Sequence, residues 1–129
     1  MVEHPARPVE SIGYRLVGDL AAVRAFVTTR AVALGLSRDR AEMLTLAVNE
    51  LATNTLQYTA EGGEVQLWSE SGQIYCDVLD QGPVLTFGGD MPAADAVRGR
   101  GLPIVEMVCD HVAAFAVARG SVVRLQLGL

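Results

Sequence analysis

The hydrophobic period of this sequence changes at Gly62-Gly63, and that change limits the folds that the chain can adopt. Before these glycines, apolar residues recur at helical spacing through residues 19–35 and again through residues 37–58, and Asp19 and Ser37 are placed to cap these two predicted helices. After them, EVQLWSES and QIYCDVLD alternate between apolar and polar residues on either side of a Ser-Gly turn, which is typical of an antiparallel hairpin. Two helices followed by a hairpin predict a fold of the α+β class.

The flanking segments predict the rest of the architecture. Residues 11–18 alternate enough to form an edge strand, residues 101–112 have the spacing of a third helix, and residues 113–129 predict a closing hairpin. The segment 80–101 is rich in glycine and small residues, and a loop of that length in a small domain is usually functional or disordered. This order predicts a two-layer α/β sandwich, with helices on one face of a mixed, mostly antiparallel sheet.

Size and composition limit the class of protein. Half of the 129 residues are hydrophobic, which is enough for the core of one domain, so we predict a flexible leader, residues 1–10, and a single domain, residues 11–129. The formal net charge of -5 disfavours a nucleic-acid partner, because such proteins usually carry basic surface that displaces counterions from phosphates. No apolar run approaches the ~20 residues of a membrane-spanning helix, which favours a cytoplasmic protein with no membrane partner.

The second predicted helix carries two polar residues, Glu50 and Asn54, on one face, because positions four apart lie one above the other. That face points away from the apolar stripe of Leu44, Val48 and Leu51. By itself the pair is typical of the solvated face of an amphipathic helix. Two further elements along the chain favour a functional interpretation.

The first of these elements is DQGP, residues 80–83, at the end of the second hairpin strand. Asp, Gly and Pro all favour turns, so the stretch can be a turn and nothing more. A carboxylate at a strand end can also accept a hydrogen bond from an exocyclic amine, and Gly82 would leave room beside Asp80 for a flat ring.

The second element is RGRG, residues 98–101, directly before the third predicted helix. It can be a flexible linker. Glycines at a helix N-terminus also expose backbone N–H groups that favour anions, and Arg100 can add charge-assisted hydrogen bonds to phosphate oxygens.

Taken in order, NELATN, DQGP and GRGLPIV resemble the N box, the D-x-G-x box and the G-x-G-L box of the GHKL (Bergerat-type) superfamily of ATP-binding domains, which includes gyrase and the histidine kinases. In its compact single-domain form, the chain looks most like the anti-sigma-factor serine kinases of the RsbW and SpoIIAB type. The resemblance runs from about Ile12 to Leu127 and implies the two-layer sandwich of that superfamily.

The resemblance also implies site residues. Asn54 would bind ATP and ligate Mg²⁺ through its side-chain oxygen, and Glu50 would be the general base or would orient the acceptor hydroxyl. Asp80 would bind the adenine amino group, with Gly82 giving the ring access, and residues 82–99 would form a lid over the nucleotide. The further ATP contacts that it implies are Gly99, Arg100, Gly101, Leu102 and Ser121.

Two functions of different class follow from the resemblance. The first is an ATP- and Mg²⁺-dependent serine/threonine protein kinase that binds a sigma factor, phosphorylates a small STAS-like antagonist protein, and can act as a homodimer. The second is a non-catalytic, ATP-sensing regulatory module that holds a partner when nucleotide orders the lid. Neither His4, in the leader, nor His111, expected at the end of the third helix, is placed like the phosphoacceptor of a histidine kinase.

Overall fold

The described residues form a five-stranded sheet with three α-helices packed on one face. The structure is a computed structural model that describes residues 9–82, 101–118 and 120–129. A short 3-10 helix, Val17–Asp19, precedes the first α-helix. The elements are β1 (Glu10–Tyr14), α1 (Leu20–Ala33), α2 (Arg38–Tyr58), β2 (Gly63–Glu70), β3 (Gln73–Asp80), α3 (Gly101–Val108), β4 (His111–Val117) and β5 (Gly120–Gly128).

The strand order across the sheet is β1-β2-β3-β5-β4, so the last strand of the chain lies between β3 and β4. The four ladders between described strands are all antiparallel, which confirms the α+β class and the mostly antiparallel sheet. The segment 11–18 was expected to be an edge strand. It is one, although the strand itself ends at Tyr14.

The core lies between the helices and one face of the sheet. Strand side chains alternate between the two faces, so Val65 and Leu67 of β2 and Cys76 and Val78 of β3 point toward the helices. Leu44 of α2 is fully buried against them, and burial of this kind is the main source of stability for a domain of this size.

The predicted bounds of α2 are confirmed, and its first turn is capped as the sequence suggests. Ser37 precedes the helix and its hydroxyl accepts a hydrogen bond from the Arg40 N–H at 3.3 Å. Asp19 was expected to cap the first helix in the same way, and that expectation is wrong. Its carboxylate accepts the backbone N–H groups of Arg15 and Leu16, both at 2.9 Å, which closes the turn before α1 and lowers the pKa of Asp19.

The third helix is shorter than its apolar spacing suggests. It ends at Val108, and His111 is the exposed first residue of β4 instead of the last residue of a helix. Asp110 accounts for this end, because its carboxylate accepts the backbone N–H of Gly128 at 2.6 Å and pairs with Arg40 at 3.5 Å. These are tertiary contacts that no local pattern contains.

The sheet face that carries none of the described helices holds a partly buried ion pair. Arg124 of β5 donates two hydrogen bonds of 2.8 Å to Asp77 of β3, which is 3 % exposed, and these bonds raise the pKa of Arg124. The guanidinium lies 5.2 Å from the ring centre of Trp68 and 5.3 Å from that of Phe115. Trp68 in turn stacks on Tyr75.

Candidate functional site

The carboxylate of Asp80 is held by three donors that come from three parts of the fold. The Gly82 N–H donates to Oδ1 at 2.7 Å, and the hydroxyl of Ser121 donates to the same oxygen at 3.3 Å. The hydroxyl of Thr55 donates to Oδ2 at 2.9 Å. The structure therefore brings together Asp80, Gly82 and Ser121, three of the residues that the sequence singled out.

Strand register explains this convergence. Asp80 is the last residue of β3, and it has the same parity as Val78, so its side chain points to the helix side of the sheet. Ser121 is its direct partner across the β3–β5 ladder, and Gly63 is its partner across the β2–β3 ladder. The site thus forms where the strand ends and α2 passes over it.

A hydroxyl relay leads from the sheet edge to Asp80. The buried phenol of Tyr14 in β1 donates to Thr55 Oγ1 at 3.0 Å, and Thr55 donates onward to Asp80. Burial, with a smaller contribution from the nearby Asp80 carboxylate, raises the pKa of Tyr14 to about 12, so the phenol stays a donor at neutral pH. A Cβ on Gly63 would lie 2.6 Å from the Tyr14 oxygen, so glycine at that position leaves room for the phenol.

Tyr14 and Thr55 are site residues that the sequence analysis missed. The signal for Thr55 was available: it continues the apolar stripe of Leu44, Val48 and Leu51 at helical spacing, yet it carries a hydroxyl. A polar group on a core stripe requires a partner, and the partner is Asp80. Tyr14 gave no such signal, because it looks like an ordinary apolar strand residue.

Glu50 and Asn54 lie one turn apart on α2, and both are half-buried. With about 100° between successive residues, Asn54 lies beside Thr55 on the flank that faces away from α1. Thr45 and Asn49 mark the opposite flank, since they bond to Thr28 and Arg24 of α1. Within the described residues, neither Glu50 nor Asn54 makes a side-chain hydrogen bond or an ion pair, and both present hard oxygen atoms.

The direction in which α3 runs along α2 follows from its contacts. Arg40, at the start of α2, pairs with Asp110, directly after α3. Because α3 packs along α2 from that point, its first residue, Gly101, lies toward the C-terminal half of α2. The unpaired N–H groups of a helix N-terminus favour an anion at this position.

Several predicted site residues lie outside the described part of the chain. These are Gly99, Arg100 and most of the predicted lid, residues 82–99, of which only Gly82 is described. Leu102 lies in α3, where its side chain is not among the described ones.

The donor set at Glu50 and Asn54 fits a magnesium ion that is shared with phosphates. Mg²⁺ prefers oxygen ligands and usually takes one or two from the protein, with water and substrate phosphates completing its octahedron. Among the described residues, no three His, Cys, Asp or Glu side chains come together as a metal cluster, so that part of the chain contains no metal cage built from these residues alone.

A cavity of about 230 Å³ borders the site at Asp80. Its lining includes Glu64, Leu79 and Val117, whose parity places them on the sheet face without described helices. The glutamates among its lining residues would repel a triphosphate. The cavity therefore shares Asp80 with the predicted site but is distinct from the region around Glu50 and Asn54.

Comparison with known proteins identifies the family. The family model described as "histidine kinase-like ATPase domain" matches residues 15–127, and the chain belongs to this family. The fold also resembles the crystal structure of the RsbU and RsbW domains of Rv1364c from Mycobacterium tuberculosis, with a TM-score of 0.71 and 18% sequence identity. This match covers 95% of the present chain and 33% of the other, so the chain spans about a third of that structure. No curated protein matches the sequence significantly.

Family membership confirms the resemblance of the sequence to the GHKL superfamily of ATP-binding domains, and the structural match confirms the fold. A domain of this family is an ATPase domain, so family membership implies that the chain binds ATP. None of the helices in the described ranges combines the length and the apolar composition needed to cross a bilayer.

Proposed function

We propose that this protein is an ATP- and Mg²⁺-dependent serine/threonine protein kinase of the anti-sigma-factor type, which binds a sigma factor and phosphorylates a small antagonist protein. The observation that carries the proposal is the arrangement on α2. Glu50 and Asn54 present oxygen atoms without a partner among the described residues, next to a threonine that holds the carboxylate of Asp80.

In this proposal each side chain has one task. Asp80 accepts a hydrogen bond from the adenine amino group, with Ser121 and Gly82 orienting its Oδ1. The side-chain oxygen of Asn54 would hold Mg²⁺, which would neutralise charge on the phosphates. The phosphate contacts would come from Gly99, Arg100, Gly101 and Leu102, at and before the N-terminus of α3.

The role of Glu50 distinguishes the two proposed functions, because a kinase needs this carboxylate for transfer and a nucleotide-binding module does not. The Glu50 carboxylate lies one turn from Asn54, where it would orient or deprotonate the acceptor hydroxyl of the antagonist protein. We expect Glu50→Ala to slow transfer of label from γ-labelled ATP to purified STAS-like antagonist proteins by roughly 10²-fold or more, while ATP affinity stays within about twofold. Glu42→Ala, two turns earlier on the same helix, is the matched control and should leave transfer unchanged.

The alternative function is a non-catalytic, ATP-sensing regulatory module, and the same experiment distinguishes it. A wild-type protein that binds ATP, transfers no label to any antagonist, and regulates its partner equally well with Glu50→Ala would be such a module. In that case the half-buried carboxylate at Glu50 would act only in binding or in packing.

The partners belong to the proposal as well. A sigma factor and a STAS-like antagonist would place the protein in the cytoplasm, and a homodimer agrees with the type of kinase that the chain resembles. Of the arginines on α1, Arg24 donates to Asn49 at 3.1 Å and Arg30 pairs with Glu10 at 3.2 Å. A partner that uses this surface would therefore compete with contacts inside the chain.

A further inference from the structure

The hydrogen-bonding capacity of Asp80 is almost fully used within the chain. A carboxylate offers about four acceptor positions, two on each oxygen. Oδ1 already accepts from Gly82 and Ser121, and Oδ2 accepts from Thr55. Counting the described residues only, one acceptor position remains, and it is on Oδ2.

The direction of the Tyr14–Thr55–Asp80 relay is fixed by the number of protons. Thr55 Oγ1 has a single proton and two acceptors within reach, Asp80 Oδ2 at 2.9 Å and the backbone oxygen of Leu51 at 3.2 Å. The carboxylate oxygen is the nearer and stronger acceptor, so Thr55 donates its hydrogen bond to that oxygen. Tyr14 then supplies the hydrogen bond that Thr55 accepts, at 3.0 Å. The relay therefore orients the Thr55 proton toward Oδ2.

We propose that Thr55 and Tyr14 are positioning residues for recognition of the base, which hold Oδ2 of Asp80 so that it accepts one hydrogen bond, from the exocyclic amine of adenine. The inference rests on the nucleotide-binding function proposed above. It assigns a role to two residues outside the three boxes, one of them 41 residues away from its hydrogen-bond partner.

The arrangement favours a ligand with one donor over a ligand with two. Guanine presents two neighbouring donors on the corresponding edge and would need both oxygens of a carboxylate. Oδ1 is occupied by Gly82 and Ser121, so only one of the two bonds could form. A donor left unpaired on binding costs affinity.

The test compares two ligands that differ only in the amine. ATP and purine riboside triphosphate, which lacks the amino group, are titrated by calorimetry into wild type, Thr55→Val and Thr55→Ser with Mg²⁺ present. Thr55→Val should lower the affinity for ATP about tenfold, which corresponds to the loss of one hydrogen bond. It should change the affinity for the analogue by less than about twofold. Thr55→Ser keeps the hydroxyl and should bind ATP like wild type.

Two more variants control for a general effect of the substitutions on folding. Thr45→Val removes another buried hydroxyl from α2, one that bonds to Thr28 and Ala41 but not to Asp80, and it should leave both ligands unaffected. Tyr14→Phe removes the first donor of the relay and should also lower the affinity for ATP, by a smaller factor than Thr55→Val. It supplies the test if Thr55→Val does not fold.

The possible failures are distinguishable. If Thr55→Val lowers the affinities for ATP and for the analogue equally, or lowers neither, the positioning role is overturned and the nucleotide-binding function stands. If the wild type binds neither ligand at millimolar concentration, the proposed function is overturned, and the positioning role with it.

Discussion

Thr55 shows how a single hydroxyl can connect the core to a binding site. It lies on the core face of α2 and is 3 % exposed, at a position where the residues one and two turns earlier, Leu51 and Val48, are apolar. A buried hydroxyl without partners would cost free energy, and here the bonds to Tyr14 and Asp80 offset that cost. The same bonds fix the orientation of the Asp80 carboxylate, which we propose binds the adenine base.

The pKa of Tyr14 leads to a prediction about pH. Burial raises this pKa from 10.0 to about 12, so the folded state holds the phenol proton more tightly than the unfolded chain. The resulting stability is fully present below pH 10 and is lost as the pH rises through about 12. Between about pH 10 and pH 12, we expect the free energy of unfolding of the wild type to fall more steeply than that of Tyr14→Phe, by up to about 1.4 kcal/mol per pH unit. Urea unfolding at each pH measures both slopes, and equal slopes would contradict the assignment.

At the scale of elements, the connection between α2 and β2 determines whether β1 and α2 meet at the site. Gly62 has a φ of +73°, a backbone conformation that residues with a side chain rarely adopt. A Cβ at this position would lie 2.1 Å from the backbone oxygen of Tyr14. Tyr14 is the last residue of β1, directly across the ladder from Gly63. The turn and the hydroxyl relay therefore depend on the same close approach of two backbones.

Gly62→Ala should for this reason be one of the more damaging small substitutions. We expect it to lower the free energy of unfolding by about 2 kcal/mol or more, because it adds backbone strain and a clash with β1. Gly18→Ala is the control, since a Cβ there meets no atom within 4 Å, and it should change stability by less than about 0.5 kcal/mol. Chemical denaturation measures both variants, and a Gly62→Ala protein as stable as the control would refute this account of the turn.

The elements also show what the sequence could and could not predict. The period of α2, its Ser37 cap and the Ser-Gly turn of the hairpin are local, and each is confirmed: Ser71 and Gly72 have φ values of 53° and 76°, as a tight hairpin turn requires. The predicted end of α3 and the predicted capping role of Asp19 were wrong, because hydrogen bonds that a local pattern does not contain determine both. The contact from Tyr14 to Thr55 spans 41 residues, so no local pattern could have predicted it.

At the scale of the whole molecule, the two faces of the sheet hold their carboxylates differently. Asp77, on the face without described helices, is paired with Arg124 by two bonds of 2.8 Å and stays within that ion pair. Among the described residues, the donors to Asp80, on the helix side, are all neutral: one backbone N–H and two hydroxyls. Within the part of the chain that the structure describes, Asp77 therefore has an arginine partner, whereas Asp80 has none.

The most direct test of the central claim is calorimetric titration of ATP, with and without Mg²⁺, into wild type, Asn54→Ala and Asp80→Asn. Asn49→Ala, on the α1 flank of the same helix, and Asp39→Asn, in the exposed first turn of α2, are the matched controls. We expect Mg²⁺-dependent binding by the wild type and both controls, and a loss of at least about tenfold in each of the two site variants. Absence of binding by the folded wild type at millimolar ATP, or binding that neither site variant weakens, would contradict the assignment of this site.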